Sequence, residues 1–290
     1  MSLYAIAIQP FLEYGFMRRA LVASLSLGLS AGPVGVVLML RRMSLVGDAM
    51  SHAVLPGAAI GFLVSGGLSL FAMGIGGVIA GLSVALLSGA VSRATVLKED
   101  ASFATFYLAS LALGVLIVSL RGSNIDLLHV LFGTILSVDR EAIVMVGSIT
   151  SFTLITLALI YRPLVAECFD PAFLRSVKGR GALYHLIFLL LLVINLVAGF
   201  QTLGTLMAVG MMMLPAAVAQ LWGRTLFTMA ALAAMVAILS GYLGLLLSFH
   251  LEFASGPMII LVASVLYVIS LLAAPSGLLA RRFNSPHLTG

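Results

Sequence analysis

Long apolar runs fill most of this chain, and charged residues or Pro/Gly positions punctuate them at intervals close to the width of a hydrocarbon layer. A helix that crosses such a layer takes roughly 20 residues at about 1.5 Å of rise each. Reading from break to break places spans near 17–40, 45–66, 69–92, 101–120, 141–161, 183–202, 204–222, 226–248 and 257–275. Two breaks are slight: Gly66, Gly67 and Leu68 part the second span from the third, and Gln201 to Gly204 part the sixth from the seventh. A re-entrant pair at either place, giving eight spans or fewer, is the alternative. The pattern predicts an all-α integral membrane protein, a polytopic bundle of eight or nine transmembrane helices forming a single domain over residues 1–290.

The segments between spans carry their own signals. Residues 1–16 have no basic region ahead of an apolar core and no small-residue cleavage site, so they read as an interfacial lead-in rather than a signal peptide. The stretch 121–140 contains LLHVLFGTIL, too short to cross but long enough for a half-helix dipping into the outer leaflet. The longest hydrophilic stretch is YRPLVAECFDPAFLRSVKGRG, residues 161–181. Within it Asp170 stands as N-cap, Pro171 as first helical residue and Gly179 as the stop of a short helix. Phe173 and Val177, four apart, make an apolar knob beside Leu174. Such a helix suits contact with another protein; an ordinary surface helix lying on lipid headgroups is the alternative.

Composition agrees and narrows the field. Of 290 residues 62% are hydrophobic and 9% charged, and the mean hydropathy is +1.21. The net charge of +5 is spread over short loops with no basic stripe, which argues against nucleic acid and for membrane topology. With the 93–100 loop inside, the cytoplasmic side holds Arg41, Arg42, Arg93, Lys98, Arg162, Arg175, Lys178, Arg180, Arg224, Arg281 and Arg282, and the other side Arg18, Arg19, Arg121 and Arg140. The N-terminus is then extracytoplasmic, and the C-terminus, with a tail at 276–290, cytoplasmic. One cysteine, Cys168, allows no internal disulfide.

Candidate chemistry concentrates in RRMSLVGDAMSHAVLPGAAIGFL, residues 41–63. Asp48 and His52 lie four apart, on one helix face, inside a membrane-length apolar run. Ionisable groups there are costly and mark an ion or substrate path. A carboxylate with an imidazole suits zinc, manganese or ferrous iron, and two ligands from one helix leave room for others. The alternative is mutual hydrogen bonding that steadies a helix break around Gly47 and Pro56. Weaker metal candidates are His250 and Glu252 in one outer loop and Asp126 and His129 in the other. The GIGGVIAG run at 74–81 lacks dinucleotide-site spacing and reads as packing, as do Met207 and Met211; Gln201 is a polar group at a span break. No hydrolase, protease or phosphate-loop motif is present, so the chain is not an enzyme and has no ATPase site of its own.

The run LRRMSLVGDAMSHAVLPGAAIGFL resembles the hallmark segment of the zinc/manganese/iron ABC importer permeases, the ABC-3 family. KEDASFATFYLASLALGVLIVSL at 98–120, LLHVLFGTIL at 127–136, FDPAFLRSV at 169–177, QTLGTLMAVGMMMLPAAVAQL at 201–221 and SGPMIILVAS at 255–264 are similar in the same order. The resemblance implies an ABC importer permease in a bacterial cytoplasmic (inner) membrane. It implies a homodimer docked on cytoplasmic ABC ATPase subunits and supplied by an extracytoplasmic metal-binding protein. It also implies a divalent metal as transported substrate, with no permanently bound cofactor. The matching positions are Asp48 and His52 for the metal path, and Asp170, Pro171, Phe173, Leu174, Val177 and Gly179 for a coupling loop at 162–182. Leu174 and Lys178 depart from the family's small residue before glycine. A gradient-driven secondary transporter and a non-transporting anchor or sensor recruiting a cytoplasmic partner are the rival readings.

Overall fold

The computed structural model describes residues 4, 7–66, 69–97, 99–120, 138–169 and 181–277. Every regular element among them is helical. A short helix α1 (Gln9–Glu13) leads into α2 (Gly15–Leu40), α3 (Ser44–Ala53), α4 (Leu55–Ser65), α5 (Leu70–Ala94) and α6 (Glu99–Leu120). Then come α7 (Arg140–Leu159), α8 (Tyr161–Phe169), α9 (Gly181–Leu203), α10 (Thr205–Trp222), α11 (Leu226–Leu251) and α12 (Ser255–Ala273). Taking α3 and α4 together as Ser44–Ser65, the described residues contain nine helical segments long and apolar enough to cross a membrane. Both doubtful breaks separate full-length spans. Gly66 closes α4 with φ of 72°, and Gly204 turns α9 into α10 at φ 89°, ψ 161°, a region only glycine enters without strain.

Two departures from the sequence reading have physical causes. The second span is two helices, because Pro56 has no N–H to return to the His52 carbonyl. Beside it at the break, the Ala53 carbonyl accepts from the Ser110 hydroxyl of α6 at 3.1 Å. Residues 161–169 are helical as well, nearly continuous with α7, where the sequence pattern placed loop before a helix at 170–179. The residues read as coupling helix and as outer half-helix lie outside the described ones.

α2 and α9 form the buried axis, with α10 and α11 packed around them, while α6 and α12 present most of their surface outward. With no hydrophobic difference between helix and lipid, close packing must hold such a bundle, and small residues permit it. Gly57 of α4 and Gly76 of α5 meet backbone to backbone, so a Cβ on either would strike the other's carbonyl. Gly77 faces Val54 and Val197, and Gly81 faces Val193, which makes the GIGGVIAG run a packing face as expected. Met207 and Met211 are likewise fully buried filler.

Polar side chains stitch the helices further. Thr150 of α7 donates to the Ser26 carbonyl of α2 at 2.8 Å, and Asn195 of α9 donates to Thr153 Oγ1 of α7 at 2.8 Å. Such bonds average about 0.6 kcal/mol each within membranes. Gln201 donates to the Leu70 carbonyl at 3.0 Å, tying the start of α5 to the end of α9. The N-terminal segment packs on α11, where Phe11 stacks on Tyr242 at 5.3 Å and the Tyr242 hydroxyl donates to the Ala7 carbonyl.

Gly76→Leu should force α4 from α5 and cost about 1–3 kcal/mol, the usual penalty of overpacking. Thermal unfolding in detergent should show a lowered Tm, while the same change at Gly147, which faces open space, leaves it in place. Burial pushes the Cys168 thiol above its ordinary value, outweighing the Arg41 guanidinium that pulls it down. Its thiolate is therefore scarce at neutral pH. Iodoacetamide should label it slowly at pH 7.5 and faster as pH rises past 9, whereas rapid labelling at pH 7.5 in the folded protein contradicts this environment.

Candidate metal centre

The geometry of the site begins at the end of α2. Arg42 N donates to the Met39 carbonyl and Met43 N to the Leu38 carbonyl, the paired bonds of a Schellman turn. That turn starts α3 at Ser44, which places Asp48 four residues, about 6 Å, along the new helix. The i, i+4 spacing then brings Asp48 Oδ1 to 4.0 Å from His52 Nε2. The sequence expectation that both share a face holds.

Their surroundings differ. The Asp48 side chain is 66% exposed and that of His52 32% exposed. The imidazole stacks on Tyr107 of α6 at 6.2 Å between centroids, and its Nδ1 is buried with no partner among the described residues. Ser51 donates back to the Asp48 carbonyl at 2.7 Å, which tightens the turn between the two. Asp48 thus opens outward, with Leu45, 72% exposed, beside it. A lipid-facing carboxylate is strongly disfavoured, so this face belongs on water or on another protein surface.

A cavity of about 150 Å³ lies against this face between α3 and α6, lined by Asp48, Asp100, Phe103 and Tyr107 among others. Asp100 and Tyr107 are site residues that sequence reasoning missed. Asp100 sits at the first turn of α6, where an acidic residue is ordinary for a helix start, and Tyr107 has the look of core aromatic filler. Only the packing of α6 on α3 separates them from those uses.

The other sequence candidates are not brought to this place. His250 ends α11 and Glu252 follows it with φ of 58°, beside Phe249, which contacts Tyr14 at the start of α2. Asp48 follows the opposite end of α2, whose 26 residues span roughly 39 Å. Asp126 and His129 lie outside the described residues, as do Asp170, Pro171, Phe173, Leu174, Val177 and Gly179. Among the described residues no group of three or more His, Cys, Asp or Glu side chains is placed to hold a metal. Among the described residues the site therefore has two donors, a hard oxygen and a borderline nitrogen, a set suited to a first-row divalent ion that keeps other ligands.

The family described as ABC 3 transport family matches residues 13–274. The chain is 38% identical over 283 residues to "Manganese transport system membrane protein MntC" of Halalkalibacterium halodurans, covering 97% of this chain and 95% of that protein. It is 35% identical over 263 residues to "Manganese import system permease protein ScaB" of Streptococcus parasanguinis, covering 91% and 92%. Among solved structures, "PsaBC from Streptococcus pneumoniae in complex with Fab" superposes with a TM-score of 0.86 at 29% identity, covering 98% of this chain and all of that one.

Proposed function

Because the chain belongs to the ABC 3 transport family, we propose that it is the membrane-spanning permease subunit of an ATP-driven importer of divalent transition metal, with manganese as the cargo. The observation that carries this reading is the Asp48–His52 pair, one helical turn apart beside a broken span, with its carboxylate exposed and its imidazole half-buried. An Asp–His donor set accepts manganese, zinc and ferrous iron alike, and the manganese systems to which both relatives belong favour manganese.

Metal–ligand bonds to such donors are about 2.0–2.2 Å, so adjacent ligands stand roughly 3 Å apart. The 4.0 Å gap between Asp48 Oδ1 and His52 Nε2 closes to that bite with a small side-chain rotation. Two donors from the described residues of each chain leave the ion partly hydrated, which favours passage over retention. The carboxylate charge offsets part of the ion's dehydration cost. A second copy against the α3 face removes the exposed carboxylate from lipid and doubles the donors, which supports a homodimer with a shared path.

The end of the bundle holding Arg41, Arg162 and Arg224 faces the cytoplasm of a bacterial cell, in accord with the excess of basic residues there. ATP is hydrolysed by a partner subunit docked through 170–179, supported by the capped, knob-bearing pattern of that segment. A metal-binding protein delivers the ion at the opposite end.

In vesicles containing the permease, its ATPase and ATP, Asp48→Ala and His52→Ala should each lower uptake of isotopic manganese at limiting metal by at least about tenfold, with assembly intact. Uptake by both variants equal to the parent's rules out the path through this pair. Replacing Phe173 and Val177 together by Asp should release the ATPase in a pull-down; undiminished copurification places the docking surface elsewhere.

A further inference from the structure

A second cluster of charge lies at the foot of α3, away from the metal donors. Arg41, the last residue before the turn, has a side chain only 7% exposed. Its guanidinium reaches two helices distant in sequence. Nη2 pairs with Glu167 Oε1 of α8 at 2.6 Å, and Nη1 donates to His185 Nδ1 of α9 at 2.7 Å. The Phe188 ring of α9, fully buried, lies under the guanidinium at 4.9 Å. Since arginine only donates, His185 accepts with Nδ1 and carries its proton on Nε2.

Burying an ion pair is a poor means to gain stability, because well-packed apolar residues often do as well. What a guanidinium fork supplies is direction, since its planar donors fix where each partner must stand. The neighbouring residue shows why direction is needed. Arg42 occupies the left-handed region at φ 58°, in the place where a helix-ending turn normally uses glycine. Such a backbone is strained and persists only where its surroundings hold it. Met43 and Leu38 close the turn from the apolar side, and Arg41 pins it from the polar side.

The chain connectivity gives the pin its use. Glu167 stands two residues before the end of α8, and His185 four residues into α9, so the two helices it grips bracket residues 170–180. On its other side the pinned turn begins α3, with Asp48 six residues beyond Arg42. We propose that Arg41 is a positioning residue that locks the start of α3 to α8 and α9, so that the metal-bearing helix moves with the helices flanking the cytoplasmic segment. This rests on the transport reading for its consequence and on the geometry alone for the lock. Lysine at 41 keeps the charge but lacks the rigid fork whose two terminal nitrogens face Glu167 and His185, so it restores the lock only in part.

The test has two arms. In the permease by itself, hydrogen–deuterium exchange over 44–53 should rise at least tenfold in Arg41→Gln and in Glu167→Gln, with Arg41→Lys between these and the parent and with 205–222 unchanged. The double variant should be no worse than either single one. Parent-like exchange over 44–53 overturns the lock, whatever the protein carries. In vesicles with ATPase and ATP, manganese moved per ATP hydrolysed should fall at least fivefold in Arg41→Gln and recover partly in Arg41→Lys, while the ATPase still copurifies. A misfolded variant lowers both rates and leaves their ratio alone. Loosened exchange with an unchanged ratio overturns the transmitting role. If the parent itself moves no manganese, the transport reading fails, and the exchange arm still decides the lock.

Discussion

In an apolar surrounding every backbone N–H and C=O must find a partner inside the protein, and the architecture around the second span follows from meeting that demand where proline prevents it. Pro56 lacks the N–H that would return to the His52 carbonyl, and the helix breaks next to it, just beyond Ala53. Ser110 supplies a hydroxyl to the Ala53 carbonyl, and Gly114, one turn further along α6, lets that helix approach Pro56 closely. The repair brings α6 against α3. With it come Asp100 and Tyr107, which complete the surroundings of Asp48 and His52.

The same economy governs the rest of the bundle. Lipid tails are as apolar as leucine, so helices associate through shape and a few hydrogen bonds rather than through loss of water. The Gly57–Gly76 contact and the Thr150 and Asn195 bonds are local answers of this kind. Asp48 breaks the rule on purpose: it is a charged group left exposed where neither lipid nor packing satisfies it. Arg41 is its counterpart, a largely buried charge that is paired from two helices. The first contrast favours a transported ion and the second a mechanical role.

Much of this was legible in advance. Apolar run lengths set the spans, because the bilayer fixes the length of a crossing helix, and the i, i+4 spacing set the shared face of Asp48 and His52 because helix pitch is universal. Gly204 read correctly as a break, since a polar Gln201 and a glycine at mid-pattern stop an apolar helix. The helix at 161–169 was missed because its charged residues and Pro163 look like loop, although Pro in a first turn is compatible with a helix. Arg41 was counted only as a topology signal. Nothing near it in sequence shows that its partners lie over a hundred residues away.

What the sequence determined by itself is therefore what depends on neighbours a few residues apart: span length, helix breaks, facing pairs, and the family motif that contains them. Tertiary structure alone decided which of those features meet. It set Tyr107 beside His52, Glu167 and His185 around Arg41, and His250 and Glu252 at the far end of α2 from Asp48. The reason is physical. Local pattern is fixed by backbone geometry repeated along one helix, whereas contacts between helices arise from side-chain shape and polar satisfaction across segments whose order in the chain does not predict their place in the bundle.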